Sequence, residues 1–542
     1  MNVSEMLKRN SRMFPQEIAL IERGAGKNFR RHITWRQFDE RVDRIANGLI
    51  KRGVDEGDRV MQWMMNSIQW LEAYLGILRT GAWAVPLNYR FTIQDVKYCL
   101  DVVEPKAMIF DEQFTDQVQA ILKPSSPAKP YHYIVVGEKA TSNMELFEDF
   151  IEGSSSTPVQ VELNDEDPCV LYFTSGTTGP PKPLLLMHKN LECVAVTNVA
   201  HGLRKSGDVF AIFKPLYHAG DKMLWFGSLI LGGAAVIQKG KITPKVILEA
   251  IHQERITMVM LLVPWVRDIL AALDKGEIRK EDYDLSCWRL VLFGAQPVPP
   301  HLVRSFKEHF PHVEYEVYYG LTETSGGGCI HLGIGNEHKL GSIGRPGFNW
   351  EARIVNEKGE DVEIGEVGEI LVKGNGVMKE YYKNPEKTAE AIKQGWLYTG
   401  DMGKMDREGF IWLVDRKKDV IIRGGENIYP VEIEEVLHRH PKVRDAGVMG
   451  FPDDRLGEIV GAIIELKSDA SASIETEREI VQFCEANLPR YKRPSRIIFE
   501  KVIRNPTGKI EKVKMREKYL RGDAEGNQRK RSQSKMIQDL GE

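Results

Sequence analysis

A short apolar run, Cys169-Val-Leu-Tyr-Phe173, feeds directly into Thr174-Ser-Gly-Thr-Thr-Gly-Pro-Pro-Lys182, and this junction constrains the chain more than any other stretch. The run reads as a buried strand that delivers a loop at its end. Gly176 and Gly179 permit close backbone approach and positive φ, Thr174, Ser175, Thr177 and Thr178 bring hydroxyl donors, and Lys182 brings a mobile point charge. Such a loop suits a polyphosphate. It is not a Walker loop, because Gly-x-x-x-x-Gly-Lys-Ser/Thr cannot be laid over it and Pro183 stands where that motif needs a hydroxyl. A lone Gly-Thr-x-Gly would read as an ordinary surface loop; the full string is more specific.

At 542 residues the chain is too long for one core, and roughly two to four domains or subdomains are expected. Helical patterns such as Thr34 to Arg52 alternate with apolar strands such as Arg59-Val-Met and Ala107-Met-Ile-Phe110, an α/β arrangement. The net charge of -3 and the lack of a basic, aromatic-studded stripe argue against a nucleic-acid partner and point to small molecules. Six cysteines without C-x-x-C spacing read as reduced core thiols rather than a disulfide set or metal site. With no apolar signal run at the N-terminus, a cytoplasmic address is expected. The most apolar run, Met223 to Ile237, covers about 15 residues, short of the ~20 that span a bilayer, and reads as a buried helix followed by a strand. The charged run Asp415-Arg-Lys-Lys-Asp419 reads, by itself, as a solvated turn. Beyond it a small α+β unit is expected, with a helix from Pro430 to His438 and strands at Ala446 to Gly450 and Gly461 to Leu466. The tail from Gly522 has too little apolar surface to order itself.

Five more strings follow the first in order: Tyr319-Gly-Leu-Thr-Glu-Thr324, Gly395-Trp-Leu-Tyr-Thr-Gly-Asp401, Asp415 to Asp419, Arg423-Gly-Gly-Glu-Asn-Ile-Tyr-Pro430 and Asn505-Pro-Thr-Gly-Lys-Ile510. With them the chain, from about residue 10 to 515, resembles the adenylate-forming superfamily of acyl-CoA synthetases, peptide-synthetase adenylation domains and luciferases, and the acyl-CoA synthetases most. It departs at Pro183, where the family usually has glycine, and at Gln296, where a small or acidic residue is commoner.

The resemblance implies an α/β fold with a large N-terminal adenylation domain of several subdomains (1–415), a hinge (416–419, pivot Lys418) and a small mobile α+β C-terminal domain (420–521). It implies domain alternation, with ATP, Mg²⁺ and coenzyme A used to make an acyl-adenylate and then a thioester. The loop from Thr174 to Lys182 would hold the β and γ phosphates, Thr322 the α-phosphate, and Glu323, with Thr178, the metal. Gly294, Ala295 and Gln296 with Tyr319 would hold adenine, and Asp401 with Arg416 the ribose. Lys509 would neutralise charge developing between carboxylate and phosphorus, and Gly424, Gly425 and Glu426 would line the pantetheine path.

Read one at a time, Thr322-Glu323 would be a helix cap, Asp401 a turn aspartate, Tyr319 a core aromatic and Lys509 a surface lysine; their spacing to the other motifs changes that. His218 stands where peptide-synthetase domains usually carry an aspartate, which favours CoA over an amino-acid carrier route and adds His218 to the catalytic candidates. The acyl pocket is expected at His218, Trp225, Trp265 and Gly326 to Gly328, while Trp265 equally suits a core position. A compact medium-chain, alicyclic or aromatic acid is expected. With no anion-binding lysine or arginine recognised in these segments, a second carboxylate would be poorly held. A stand-alone enzyme loading a carrier protein, and an inactive nucleotide- or CoA-binding relative, are the alternatives; the presence of Lys182, Thr322, Glu323, Asp401, Arg416 and Lys509 together argues against the second. A monomer or homodimer is expected.

Overall fold

The computed structural model describes residues 1–24, 29–121, 132–174, 181–505 and 508–520. The chain forms two compact units, the first from Met1–Arg353 with Leu371–Thr399, the second from Ile354–Ile370 with Gly400–Glu542.

Two largely parallel sheets build the first unit. In one, the spatial order runs Arg345–Pro346, Gly328–Leu332, Glu314–Gly320, Leu290–Gly294, Met258–Leu261, Val209–Ile212, Ala234–Gln238, Ile18–Arg23 and Arg30–Thr34. Its central strands Val209–Ile212, Met258–Leu261 and Leu290–Gly294 are apolar along their whole length, as strands covered on both faces tend to be: every residue of Leu290–Gly294 is buried. Ile18–Arg23 lies parallel to Ala234–Gln238, Leu20 opposite Ala235, so the sheet joins residues far apart in sequence. The second sheet runs Glu380–Tyr381, Lys182–Met187, Pro168–Thr174, Trp83–Pro86, Arg59–Trp63, Ala107–Asp111, His132–Val136 and Glu145–Leu146.

The helix Ile68–Arg79 packs on strands of both sheets and is buried at every position but Gln69. Its neighbour Trp35–Lys51 starts where Thr34 and Gln37 form a reciprocal capping box. The two helices cross closely because Gly76 has no side chain: a Cβ there would lie 2.5 Å from Ile45 Cγ2. The apolar run from Met223 resolves into the buried helix Gly220–Ile230 and the strand Ala234–Gln238, as expected.

In the second unit, Val443–Asp453 and Gly457–Leu466 form a long antiparallel pair. Ile421–Arg423 and Arg496–Phe499 flank Gly457–Leu466, and Glu426–Ile428 forms the outer edge. Helices Pro430–His438 and Ile474–Asn487 cover a core that includes Ile433, Leu437, Ala462, Ile464 and Ile480.

The compact units do not divide at residue 415. Strand Trp396–Met405 crosses the division at Thr399, and from Asp401 onward it pairs with Ile411–Arg416, which carries Asp401 to Met405 into the second unit. The charged run from Asp415 to Asp419 is a turn solvated only in part: Lys417 and Lys418 are exposed, but its carboxylates are not. Asp415 is buried and accepts from the backbone N–H groups of Arg416 (2.7 Å) and Val431 (2.9 Å), while Asp419, also buried, pairs with Arg516 at 2.9 Å. These two carboxylates are satisfied by backbone donors and a cation instead of water. The tail from Gly522 lies outside the described residues.

Candidate active site

The ends of the glycine- and hydroxyl-rich loop are fixed by strand pairing in the first unit. Pro168–Thr174 runs antiparallel to Lys182–Met187 with Thr174 opposite Lys182 and Phe173 opposite Pro183, and the Thr174 hydroxyl donates to the Lys182 carbonyl at 3.4 Å. Pro183 therefore sits inside a strand, where its carbonyl accepts from Tyr382 N–H at 3.0 Å. Ser175, Gly176, Thr177, Thr178 and Gly179 lie outside the described residues.

Three elements meet near that strand end. Thr322–Thr324 forms a single 3-10 turn preceded by Leu321, so Thr322 does not cap a helix; Thr324 Oγ1 accepts from Leu321 N–H at 2.8 Å. The half-buried Glu323 accepts from the Tyr381 hydroxyl at 2.9 Å. Lys387, on the helix Pro385–Ala391, sits with its ammonium 4.6 Å from the Tyr381 ring centroid and near enough to Lys182 to feel its charge. Burial and then Lys182 push the Lys387 pKa down to about 8. No recurring spacing in the sequence marks Lys387 or Tyr381.

The adenine candidates lie at adjacent strand ends. Gly294 is opposite Tyr318 in parallel register, which sets Gly294, Ala295 and Gln296 beside Tyr319 at the C-terminal edge of the sheet, where open α/β sheets bind ligands. Ala295 holds φ at 67°, a left-handed value uncommon for a residue with a side chain.

The acyl candidates divide. Gly326 (φ 82°) abuts the His218 segment, since a Cβ on it would lie 3.7 Å from the Ala219 carbonyl oxygen. Gly327 instead faces Trp350 and Val194. His218 is buried beside Tyr217, with ring centroids 4.3 Å apart, and its Nε2 has no hydrogen-bond partner among the described residues. Burial, followed by Lys214, Lys222 and Arg90, pushes its pKa down to about 3, so the imidazole is neutral at pH 7. Three cations thus lie around the His218 segment, none of them at the positions read as lining the acyl pocket. Lys214 is neutralised by Asp221 at 2.9 Å and Lys222 is held by Tyr172, whereas Arg90 is exposed and rests on the Tyr89 ring. Trp225 is fully buried and gives its indole N–H to the Gly233 carbonyl (3.1 Å). Trp265 is half-buried, packed against the core and edge-on to Phe213.

In the second unit, Asp401 and Arg416 face each other across the antiparallel pair, Arg416 Nε 2.8 Å from Asp401 Oδ1. Lys509 follows Gly508 (φ 79°) in a turn where its N–H donates to Asn505 Oδ1 at 2.9 Å. Burial and then Arg416 push its pKa down to about 8, with Asp401 opposing. The structure thus gathers three separate motifs, at 401, 416 and 509, into one electrostatic cluster. Lys418 lies within this unit on the turn Lys417–Asp419, its carbonyl accepting from Arg516. Gly424 and Gly425 hold φ at 59° and 88° in the two-residue turn between Ile421–Arg423 and Glu426–Ile428. Hairpin geometry accounts for both glycines, since Gly425 has open space around it.

Comparison with known proteins identifies this assembly. Residues 7–382 match the AMP-binding enzyme family and residues 432–509 its C-terminal domain. The chain belongs to the AMP-binding enzyme family.

Within this adenylate-forming family its relatives include acyl-CoA ligases. It is 32% identical to a feruloyl-CoA synthase of Amycolatopsis sp, over 94% of this chain and 98% of the relative. It is 33% identical to the human mitochondrial medium-chain acyl-CoA ligase ACSF2, over 90% and 83%. Among solved structures, the anthranilate CoA ligase AuaEII in complex with anthranoyl-AMP superposes with a TM-score of 0.88 at 27% identity, covering 97% of this chain and 98% of the other.

Proposed function

We propose that this AMP-binding enzyme is an ATP-dependent acid:CoA ligase acting on a compact medium-chain, alicyclic or aromatic acid. The gathering of Asp401, Arg416 and Lys509 is the observation that carries the reading: a ribose acceptor, its partner and a cation for the reacting carboxylate come together from three motifs.

In the first step a carboxylate oxygen attacks the α-phosphorus as the bond to the bridging oxygen breaks and pyrophosphate leaves. Lys509 would offset the charge crowding at that centre, and Lys182 the charge of the leaving group. In the second step the CoA thiolate attacks the acyl carbonyl carbon and AMP leaves. The neutral, buried His218 beside Gly326 suits an uncharged acyl body.

Mg²⁺ fits the residues present. No group of three or more His, Cys, Asp and Glu among the described residues could hold a metal alone, and Mg²⁺ commonly takes one carboxylate with phosphate oxygens and waters. Glu323, with Oε1 accepting from Tyr381, would supply that carboxylate, and the ion would withdraw charge from the phosphates.

Six unpaired cysteines suit a reducing compartment such as the cytoplasm, and no helix among the described residues is long and apolar enough to cross a membrane. The deciding experiment is acid-dependent ATP–pyrophosphate exchange over a panel of carboxylic acids, followed by CoA addition. Exchange with compact acids and thioester formation are expected. Exchange without any thioester would remove CoA as the acceptor.

A further inference from the structure

The geometry points to Lys387 as a second cation for the pyrophosphate, facing Lys182 across the phosphate site. This rests on the reading of Lys182 as the phosphate-loop lysine.

Lys387 is held firmly. Asn384 caps its helix by accepting from the Lys387 N–H at 3.0 Å. Thr388 Oγ1 accepts from Tyr381 N–H at 3.0 Å, and Tyr381 lies opposite Leu184 in the strand that begins at Lys182. The helix is therefore bolted to the strand that carries Lys182. The two lysines lie close enough for their charges to act on one another, and the Tyr381 ring that Lys387 rests on ties through its hydroxyl to Glu323.

Two like charges at that range repel, and Glu323, whose Oε1 accepts from Tyr381, is the carboxylate beside them. An anion carrying two or more negative charges between the lysines converts repulsion into two charge-assisted contacts. Such an anion must carry its charge on the β and γ phosphates, because the strand end holding Lys182 is where the phosphate loop closes. AMP has neither phosphate, so Lys387 should separate pyrophosphate and ATP from AMP. It would then act on the first half-reaction and its reversal, with no part in thioester formation.

The test is calorimetric titration of the full chain with magnesium pyrophosphate, MgATP and AMP, comparing wild type with Lys387→Met, Lys387→Gln, Lys387→Arg and Lys182→Met. Lys387→Met and Lys387→Gln should each weaken pyrophosphate and ATP roughly tenfold or more, leave AMP within about twofold, and be largely rescued by Lys387→Arg. Equal weakening of all three ligands would mean that Lys387 only supports the fold, and unchanged pyrophosphate binding would remove it from the site; either overturns the proposal. Should Lys182→Met weaken pyrophosphate while the Lys387 variants do not, Lys387 alone is wrong. Should Lys182→Met also leave pyrophosphate unaffected, the phosphate-loop reading fails with it. A wild type that binds none of the three ligands overturns both.

Discussion

Lys222 Nζ lies 2.6 Å from the hydroxyl of Tyr172, joining the helix after the His218 turn to the strand that leads into the phosphate loop. The same ammonium reaches the carbonyls of Leu216 (3.1 Å) and His218 (3.3 Å), and the rings of Trp70, Tyr74 and Tyr172 surround it at 5.0, 4.7 and 5.0 Å. Three donors meet three acceptors under three aromatic faces. Complete burial pushes the Lys222 pKa down, while this cage favours the charged form.

Replacing Lys222 with Met keeps the chain's bulk but strands those acceptors. Thermal or denaturant unfolding should show a loss of about 2–4 kcal/mol. Because the His218 carbonyl is released, KM for the acid should rise more than KM for ATP. A variant with wild-type stability and unchanged KM for the acid would show that the cage neither supports the fold nor positions the acyl segment.

Lys509→Ala should suppress adenylate formation at least a hundredfold, while thioester formation from supplied acyl-adenylate changes little. Comparable losses in both half-reactions would remove Lys509 from a role confined to the first.

Lys509 titrates near 8 and acts as an ammonium, so kcat/KM for ATP should fall above about pH 8; thioester formation from supplied adenylate should not. Stability moves the other way. Between about 8 and the usual 10.5 the unfolded chain holds more protons at this lysine, so its contribution to stability rises with pH across that window. pH–rate profiles of the two half-reactions, with unfolding at pH 7 and 9, check both signs.

Lys418→Pro would fix φ between the buried carboxylates of Asp415 and Asp419. If this turn is the pivot between the two half-reactions, adenylation should stay within about threefold of wild type and thioester formation should fall tenfold or more. Unchanged overall turnover would move the pivot elsewhere.

Trp265→Ala should shift the ranking of kcat/KM from C6–C8 and cyclic acids toward C12 and longer. Since Trp265 is only half-buried, the loss of stability should stay below about 3 kcal/mol. A wild type that already prefers palmitate, or a variant that merely unfolds more easily, would return Trp265 to the core.

Ordered motifs made the family and the α/β architecture legible, because each phosphate- or sugar-facing group is tied to a string of neighbours. The helix Pro430–His438 and the Gly220–Ile230 helix with its following strand were equally plain from apolar periodicity. Long-range partners were not. Asp415 and Asp419 looked solvated because their partners, the Val431 N–H and Arg516, lie 16 and 97 residues away. Lys222 was hidden for a related reason: a lysine just before an apolar run reads as its polar boundary until the rings of Trp70, Tyr74 and Tyr172 close around it. Lys387 sits in a short helix with no signature, and only the pairing of Tyr381 with Leu184 brings it to Lys182.

The position of Ile18–Arg23 beside Ala234–Gln238 has a consequence for how the protein is made. On the ribosome the first hairpin emerges more than two hundred residues before its partner strand exists. At ordinary elongation rates that interval is about 10–40 s, far longer than a hairpin takes to form. Ala19, Leu20 and Ile21, buried in the finished sheet, must therefore wait in contact with water or with a chaperone until Ala235 arrives. Slowing translation before residue 238 should prolong that exposure and increase aggregation of the nascent chain.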